Sequence, residues 1–333
     1  MRYHSLKIFF FVLFISVQFQ AQERPVLDIM LTNYEYPFPV QFLPLKSQNK
    51  DIKMAYMDVK PQKFNGKTVV LLHGKNFNGA YWKTTIQALT KEGYRVVVPD
   101  QIGFGKSSKP TDYQFSFQQL AENTKLVLDE LKIEKASILG HSMGGMLATR
   151  FTLMYPEMVE KLILENPIGL EDWKLVAPYT SIEKNYQNEL KADYATTRKY
   201  QNGFYYDNKW KPEYDEWVYL LTGWAKAPDY PQVALVNAKT SDMIFTQPVV
   251  YEFHNIKTPT LLIIGTRDRT AIGKALVKDP EVAAKMGQYQ LLGKETQKKI
   301  KGSQLVELED VGHLPHIEVY DRFIEPLKEF LKK

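Results

Sequence analysis

The stretch LGHSMGGML, residues 139–147, places Ser142 among three closely spaced glycines, directly after a short apolar run. Glycine weakens both helices and strands, so this cluster indicates that the backbone must take an unusual shape. The pattern Gly-x-Ser-x-Gly is typical of a nucleophile elbow, a sharp strand-to-helix turn that exposes a serine hydroxyl. The pattern is short, and its meaning depends on what precedes and follows it.

The composition is that of an ordinary globular protein. Of 333 residues, 44% are hydrophobic and 24% are charged, and a chain of this length can bury a large core. The formal net charge of +5 is too small and too evenly spread to indicate a nucleic-acid partner. The densest basic run, residues 294–301, is typical of a solvated face.

The N-terminus carries the pattern of a secretory signal peptide. Arg2 and Lys7 precede an apolar run at residues 8–17, and no acidic residue occurs before Glu23. We expect cleavage after Ala21 and export to the periplasm or the medium. The run is shorter than the about 20 residues of a membrane span, so no stable span is expected after cleavage; an uncleaved anchor is the alternative. The chain has no cysteine, which is compatible with export.

Predicted strands and helices alternate along most of the chain. Apolar runs predict strands at residues 51–60, 67–74, 95–100, 135–142, 159–167, 258–268 and 303–313. Helical periodicity predicts helices at residues 81–94, 116–133, 143–156 and 322–333, the second opening with a Ser116/Gln119 capping pattern. Such alternation is typical of an α/β fold, with a mostly parallel sheet covered by helices on both faces.

The alternation stops between residues 169 and 255. No buried strand is predicted there, and the segment holds four of the five tryptophans. We therefore predict a core of residues 22–168 and 256–333 and an inserted helical cap of residues 169–255. The aromatic side chains predict an apolar substrate pocket, and the alternative is that they pack the cap itself. The predicted substrate-binding tryptophans are Trp173, Trp210, Trp217 and Trp224.

A serine hydroxyl is a poor nucleophile until a base removes its proton, and a histidine held by a carboxylate is the expected base. His313 follows the last predicted strand in a Gly/Pro loop and is the first candidate; His316 is the main alternative. Asp268 lies just past the end of a buried strand, where catalytic groups gather in open α/β sheets. Glu165, at the end of an earlier strand, is the alternative carboxylate.

Acyl transfer also needs donors for a developing oxyanion. The backbone N–H of Met143, directly after the nucleophile, is one expected donor. The other is expected from the loop after residues 67–74, at Lys75 or Asn76.

Five motifs together resemble the α/β-hydrolase fold family, in its serine-nucleophile branch with a helical cap. They are LLHG (71–74), PDQIGFGKS (99–107), GHSMGG (140–145), GTRD (265–268) and VGHLPHIE (311–318). The resemblance covers residues 67–325 except the cap, and implies an eight-stranded, mostly parallel sheet with the active site between core and cap. It implies a structural role for Asp100, Gly103, Gly105 and Ser107. Asp268 and His313 are separated by 45 positions, more than is usual in the family, and the role of residues 269–302 is left open.

The resemblance implies a hydrolase with the chain order Ser142, Asp268, His313. We expect hydrolysis of carboxylic esters or related small acyl compounds through an acyl-enzyme. A C–C bond hydrolase or an aminopeptidase on the same fold is the alternative, although aminopeptidases usually carry a Gly-Ser-Trp-Gly elbow. A non-catalytic binder is disfavoured because all three catalytic candidates are present.

Other chemistries find little support in the sequence. Haloalkane dehalogenases and epoxide hydrolases of this fold use an aspartate nucleophile, whereas this elbow carries Ser142. A phosphate-binding P-loop would need glycine where Asp100 stands. No cluster has metal-ligand spacing, so neither metal nor cofactor is expected. Nothing in the sequence indicates an oligomeric state.

Overall fold

The computed structural model describes residues 24–333. The predicted signal peptide lies outside the described residues. Within the described part, no helix is both long enough and apolar enough to cross a membrane.

A single sheet of eight strands forms the centre of the molecule, in the order β1-β2-β4-β3-β5-β6-β7-β8. The strands β1 and β2, and β2 and β4, pair antiparallel, and all other pairs are parallel. This confirms the predicted mostly parallel sheet of eight strands. The strands are β1 Val40–Ser47, β2 Lys50–Val59, β3 Thr68–Leu72, β4 Arg95–Pro99, β5 Ala136–His141, β6 Val159–Glu165, β7 Thr260–Gly265 and β8 Gln304–Leu308.

Helices connect the parallel strands and cover the sheet. Because helices lie on both faces, β3, β5 and β7 are buried along their whole length, which explains why their sequences are continuous apolar runs. The helices of the described chain are α1 Lys83–Lys91, α2 Phe117–Glu130, α3 Met143–Met154, α4 Ile182–Glu189, α5 Tyr194–Phe204, α6 Asp215–Thr222, α7 Tyr230–Thr246, α8 Pro280–Lys285, α9 Tyr289–Lys299, α10 Pro315–Glu318 and α11 Tyr320–Lys332.

The first strand was not predicted, because its sequence contains Pro44 and follows a proline-rich stretch. Pro44 lies opposite Lys53 in the β1–β2 pair. Proline cannot donate a ladder hydrogen bond, so it occurs mainly in edge strands. Because β1 is the edge of the sheet, it has one unpaired side and tolerates the proline.

Between β6 and β7 the chain forms α4 to α7 and short 3-10 turns. No strand occurs in residues 169–255, in agreement with the expected helical composition. The helices pair as α4 with α7 and α5 with α6.

The long interval between Asp268 and His313 contains α8 and α9. Helix α9 packs against β7 and β8 and supplies the crossover that two parallel strands require. Its Tyr289 hydroxyl donates to the carbonyl of Pro167 at 3.1 Å, in the loop after β6. The additional segment of the chain is therefore α8 with its flanking loops, and α9 belongs to the core.

The loop after β4 has the structural role that the family resemblance implied. The Asp100 carboxylate accepts the backbone N–H of Gly79 at 2.7 Å and that of Lys106 at 2.8 Å. The Ser107 hydroxyl donates to the Asp100 carbonyl at 2.6 Å. A Cβ at Gly105 would lie 2.1 Å from the Asp100 carboxylate. Asp100 thus ties this loop to the segment that follows β3.

Candidate active site

Ser142 occupies a sharp turn between β5 and α3. Its φ is 56° and its ψ is −121°, a conformation that costs a non-glycine residue about 1–3 kcal/mol. A Cβ at Gly140 would lie 2.0 Å from the Gly144 carbonyl oxygen, and one at Gly144 would lie 2.2 Å from the Leu72 carbonyl oxygen. The glycines around Ser142 are therefore required by the close approach of α3 to β5 and β3.

The structure brings Ser142, His313 and Asp268 together, although they lie far apart in the sequence. His313 Nε2 is 2.9 Å from Ser142 Oγ, and His313 Nδ1 is 2.6 Å from an Asp268 carboxylate oxygen. Because an ionised carboxylate only accepts, Nδ1–H is the donor to Asp268, and Nε2 is left to accept the serine proton. His313 and Asp268 are fully buried, and Ser142 is 7% exposed.

Two further donors hold Asp268 in its ionised form. The Asn166 side-chain amide donates to Oδ2 at 2.8 Å, and the backbone N–H of Thr270 donates to Oδ1 at 2.8 Å. Burial opposes ionisation, but the charge of His313 and the hydrogen bonds from His313, Asn166 and Thr270 outweigh it and lower the pKa of Asp268. Asn166 was missed by sequence reasoning; its position after β6, beside Glu165, is the signal that could have found it.

The two residues expected to supply oxyanion donors belong to segments that meet near Ser142. Met143 is the first residue of α3, and the first N–H groups of a helix have no intrahelical acceptor. A Cβ at Gly74 would lie 3.1 Å from the Ser142 Cβ, so the loop carrying Lys75 and Asn76 begins beside the serine. The Lys75 ammonium points to the cap, 3.6 Å from Glu189. The backbone of Lys75 stays the predicted second donor.

The two alternative residues, Glu165 and His316, pair with each other. Glu165 Oε1 accepts from the backbone N–H of His316 at 2.9 Å and lies 2.8 Å from its Nδ1. The His316 ring stacks on Trp82, with centroids 4.3 Å apart. Burial raises the pKa of Glu165 to about 7 and lowers that of His316 well below its usual value. The Glu165 carboxylate and the His316 ring support the loop that carries His313, and the Ser142 hydroxyl bonds to His313 instead. Glu165 contacts Ser142 only through its backbone carbonyl, which accepts the Ser142 N–H at 3.2 Å.

The elbow histidine, His141, connects the loops around the site. Its Nε2 is 2.8 Å from the His313 carbonyl oxygen; a carbonyl only accepts, so Nε2 carries the proton. Nδ1 then accepts from the Tyr81 hydroxyl at 3.0 Å, and that oxygen accepts the Gly74 N–H at 2.9 Å. Burial lowers the pKa of His141 to about 3, consistent with a neutral ring. His141 and Tyr81 thereby join the loop that carries His313 to the loop that carries Lys75 and Asn76, which is called the oxyanion loop below.

A residue of the predicted cap, Tyr205, also contacts the base. Its backbone carbonyl accepts the His313 N–H at 3.2 Å, and a Cβ at Gly312 would lie 2.0 Å from that oxygen. Its hydroxyl accepts from the Asn76 side-chain amide at 2.8 Å. Sequence reasoning missed Tyr205, because nothing distinguishes it among the 20 tyrosines of the chain.

The structure does not bring the four predicted substrate-binding tryptophans together. Trp173 is 3% exposed in the core, and Trp210 packs edge-on against Tyr206. Trp217 lines an outer cavity that also contains His316. Trp224 borders a narrow cleft that Lys75 and Asn76 also line. A role for any of them in substrate binding stays a prediction.

Within residues 24–333, no group of three or more His, Asp or Glu side chains is arranged to hold a metal ion.

A sequence model of the alpha/beta hydrolase fold matches residues 67–319. The chain belongs to the alpha/beta hydrolase fold family. This α/β-hydrolase is 47% identical to a crystal structure from Pseudomonas aeruginosa PAO1 described as a "probable hydrolytic enzyme", with a TM-score of 0.91 over 93% of this chain and 99% of the other. The match confirms the family resemblance.

Curated relatives match over shorter stretches. A 2-hydroxy-6-oxononadienedioate/2-hydroxy-6-oxononatrienedioate hydrolase of Comamonas testosteroni is 34% identical over 43% of this chain and 51% of its own length. A haloalkane dehalogenase of Mycobacterium marinum is 27% identical over 44% of this chain and 53% of its own length. The alignments thus span about half of these relatives.

Proposed function

We propose that the protein is a serine hydrolase of carboxylic esters or related acyl compounds that works through an acyl-enzyme. One observation carries this proposal: His313 lies 2.9 Å from the Ser142 hydroxyl on one side and 2.6 Å from Asp268 on the other. A nucleophile, a base and a group that orients the base are the minimum set for acyl transfer.

The geometry supports the following sequence of steps. Ser142 Oγ attacks the ester carbonyl carbon while its proton passes to His313 Nε2. The tetrahedral intermediate collapses, and the alcohol leaves with the proton from Nε2–H. A water molecule then gives a proton to Nε2 and attacks the acyl-enzyme, and the proton returns to Ser142 as the acid departs. Asp268 stays ionised throughout. Its negative charge stabilises the imidazolium that forms in each half-reaction.

The elbow also favours stabilisation of the intermediate. The backbone N–H of Met143 opens α3, where the helix dipole favours negative charge. The backbone N–H of Lys75, in the loop beside Ser142, is the proposed second donor. Two such donors aimed at the developing oxyanion commonly supply the largest share of catalysis in acyl transfer.

The relatives define the alternative reactions. The haloalkane dehalogenase alternative is disfavoured because such enzymes use an aspartate nucleophile at the position of Ser142. A C–C bond hydrolase is the second candidate, favoured by the 34% identical relative from Comamonas testosteroni. Ester and C–C cleavage differ in the leaving group, an alcohol or a carbanion, so substrate turnover distinguishes them.

Partition of a common acyl-enzyme tests the proposal. Acetate esters with different leaving alcohols are hydrolysed in the presence of methanol, and the ratio of methyl acetate to acetic acid is measured. If every ester forms the same acetyl-enzyme, the ratio is the same for all of them. A ratio that changed with the leaving alcohol would exclude a free acetyl-enzyme intermediate. C–C cleavage without ester hydrolysis would favour the second candidate.

We also propose that the protein is exported. The basic start and the apolar run at residues 8–17 support a cleavable signal peptide. Mass spectrometry of the protein recovered from its native cells tests this, since cleavage after Ala21 defines the mature mass. An unprocessed chain in the membrane fraction would support the uncleaved anchor instead.

A further inference from the structure

A cavity of about 500 Å³ lies between the oxyanion loop and the predicted cap. Lys75 and Asn76 line it on the core side, and helices α4, α5 and α7 line it on the other. It also reaches Tyr200, whose ring is 5.4 Å from that of Tyr205, the residue that contacts His313. Its volume lies within the range of small-molecule sites, about 300–1,000 Å³. Lys75 and Asn76 directly follow Gly74, which lies beside Ser142, so the cavity adjoins the loop that carries the predicted oxyanion donor.

Most of the residues that line this cavity carry a polar group in their side chains. Of its fourteen lining residues, only Ala192, Leu221 and Ile272 have aliphatic side chains. Amides and hydroxyls from three helices line most of the rest, including Asn188, Thr197, Asn237 and Ser241. A site for long alkyl chains would be lined mainly by apolar side chains, because burial of polar groups against an alkyl chain costs free energy.

A charged pair lies at the inner side of the cavity. Lys75 Nζ is 3.6 Å from Glu189 Oε1, with the two side chains 16% and 26% exposed. The Asn237 amide lies 3.3 Å from Glu189 Oε2, and the Tyr230 hydroxyl donates to the Glu189 carbonyl at 2.9 Å. The carboxylate–ammonium pair has no net charge, yet it offers a strong acceptor and a strong donor side by side. A neutral hydroxyl group, which both donates and accepts, matches this arrangement.

We propose that the natural substrates are esters whose non-reacting part carries several hydroxyl groups, such as acylated polyols or sugars. The inference rests on the proposed ester hydrolase function and specifies its substrate class. It differs from the expected apolar pocket, and the four tryptophans on which that expectation rested do not line this cavity. A site built to hydrogen-bond hydroxyl groups discriminates strongly against analogues that lack them, since its own polar groups are then left unpaired.

Two matched pairs of esters test the substrate class. In the first pair, 1-O-acetylglycerol and propyl acetate share the acetyl group and a three-carbon alcohol. In the second, methyl 2,3-dihydroxypropanoate and methyl propanoate carry the difference on the acyl side. We expect kcat/KM to favour the hydroxylated ester at least about tenfold in one pair, as two hydrogen bonds would provide. Equal or better hydrolysis of the unsubstituted ester in both pairs would overturn the inference.

Substitutions of the lining residues test whether the expected preference for hydroxylated esters arises in this cavity. Asn188→Leu and Asn237→Leu are each expected to lower kcat/KM for the preferred hydroxylated ester about fivefold, the worth of one hydrogen bond. Both should lower kcat/KM for the unsubstituted partner by a clearly smaller factor, and circular dichroism shows whether the variants are folded. Asn185→Leu, on α4 but outside the cavity, is the matched control and should change neither. Loss confined to Asn185→Leu, or equal loss for both esters, would contradict the inference.

These experiments separate the substrate class from the reaction type. If the unsubstituted esters are preferred but form an acyl-enzyme, the inference fails and the proposed function stands. If no ester of either pair is hydrolysed and no acyl-enzyme forms, the proposed function fails with it.

Discussion

The ring of Tyr205 stacks on the imidazole of His313, with centroids 4.8 Å apart and planes inclined by 26°. The carbonyl of the same tyrosine accepts the His313 backbone N–H, and its hydroxyl accepts from the side chain of Asn76. One residue of the predicted cap therefore contacts both the base and the oxyanion loop. The position of the cap is thus linked to the geometry of the site.

Substitution of Tyr205 should lower kcat more than it changes KM. Tyr205→Phe keeps the stack and loses the Asn76 hydrogen bond, so we expect about a fivefold loss of kcat. Tyr205→Leu also loses the aromatic face that stabilises the imidazolium, and its kcat should fall further. Steady-state kinetics on a soluble acetate ester measures both constants. An unchanged kcat in Tyr205→Leu, with folding confirmed by circular dichroism, would show that the stack has no positioning role.

Asp268→Asn should reduce kcat/KM by about 10⁴-fold, because the amide no longer favours the tautomer of His313 that accepts the serine proton. Glu165→Gln should cause a much smaller loss, since Glu165 contacts His316 and its replacement can still accept the His316 N–H. Comparison of the two variants with wild type on one ester decides between the carboxylates. A larger loss in Glu165→Gln would assign the catalytic acid to the end of β6.

Gly144→Ala should destabilise the protein by about 3 kcal/mol or more, the upper part of the range for overpacking. The new methyl group would lie 2.2 Å from the Leu72 carbonyl oxygen, and backbone atoms of a buried strand cannot move aside. Gly203→Ala is the matched control: it lies in α5 with no atom within 4 Å of the added carbon. That variant should gain about 0.5–1 kcal/mol in urea unfolding. Equal stability of the two variants would contradict the described packing of the elbow.

His141 should make the protein less stable in acid. Its pKa is lowered to about 3 by burial, so the unfolded chain binds one more proton between that pH and about 6.5. The free energy of unfolding therefore falls as pH decreases through this window, by about 1.4 kcal/mol per pH unit for one group. His141→Gln removes this contribution, and the stability difference between wild type and variant should shrink as pH falls. Urea unfolding at several pH values measures it, with His254→Gln at an exposed position as the control.

The sequence was sufficient to predict the fold wherever the local pattern agrees with the final environment. The strands β3, β5 and β7 are buried along their whole length, and their sequences are mainly apolar because both of their faces are covered. The edge strand β1 could not be predicted, since its proline is acceptable only at an edge, which is a property of the whole sheet. Helix α9 was not recognised as the crossover, because its polar residues resemble those of a surface insertion.

The site residues likewise fall into those that a local sequence pattern predicts and those that only the folded chain brings together. Ser142, Asp268 and His313 follow predicted strands in a known order, so their position could be predicted. Asn166 and Tyr205 act through contacts between segments distant in sequence. The only local signal for Asn166 is its position after β6, and no local pattern indicates Tyr205. The polar cavity arises from three helices that meet only in the folded protein.

The most direct test of the account is covalent labelling of the nucleophile. An organophosphonate that mimics an ester should add one equivalent to Ser142, measured by mass spectrometry of the intact protein and of the peptide containing residues 139–147. We expect no adduct in Ser142→Ala, much slower labelling in His313→Ala, and a loss of ester turnover in Ser142→Ala of about 10⁴-fold or more. Full labelling at another residue, or undiminished turnover by Ser142→Ala, would contradict it.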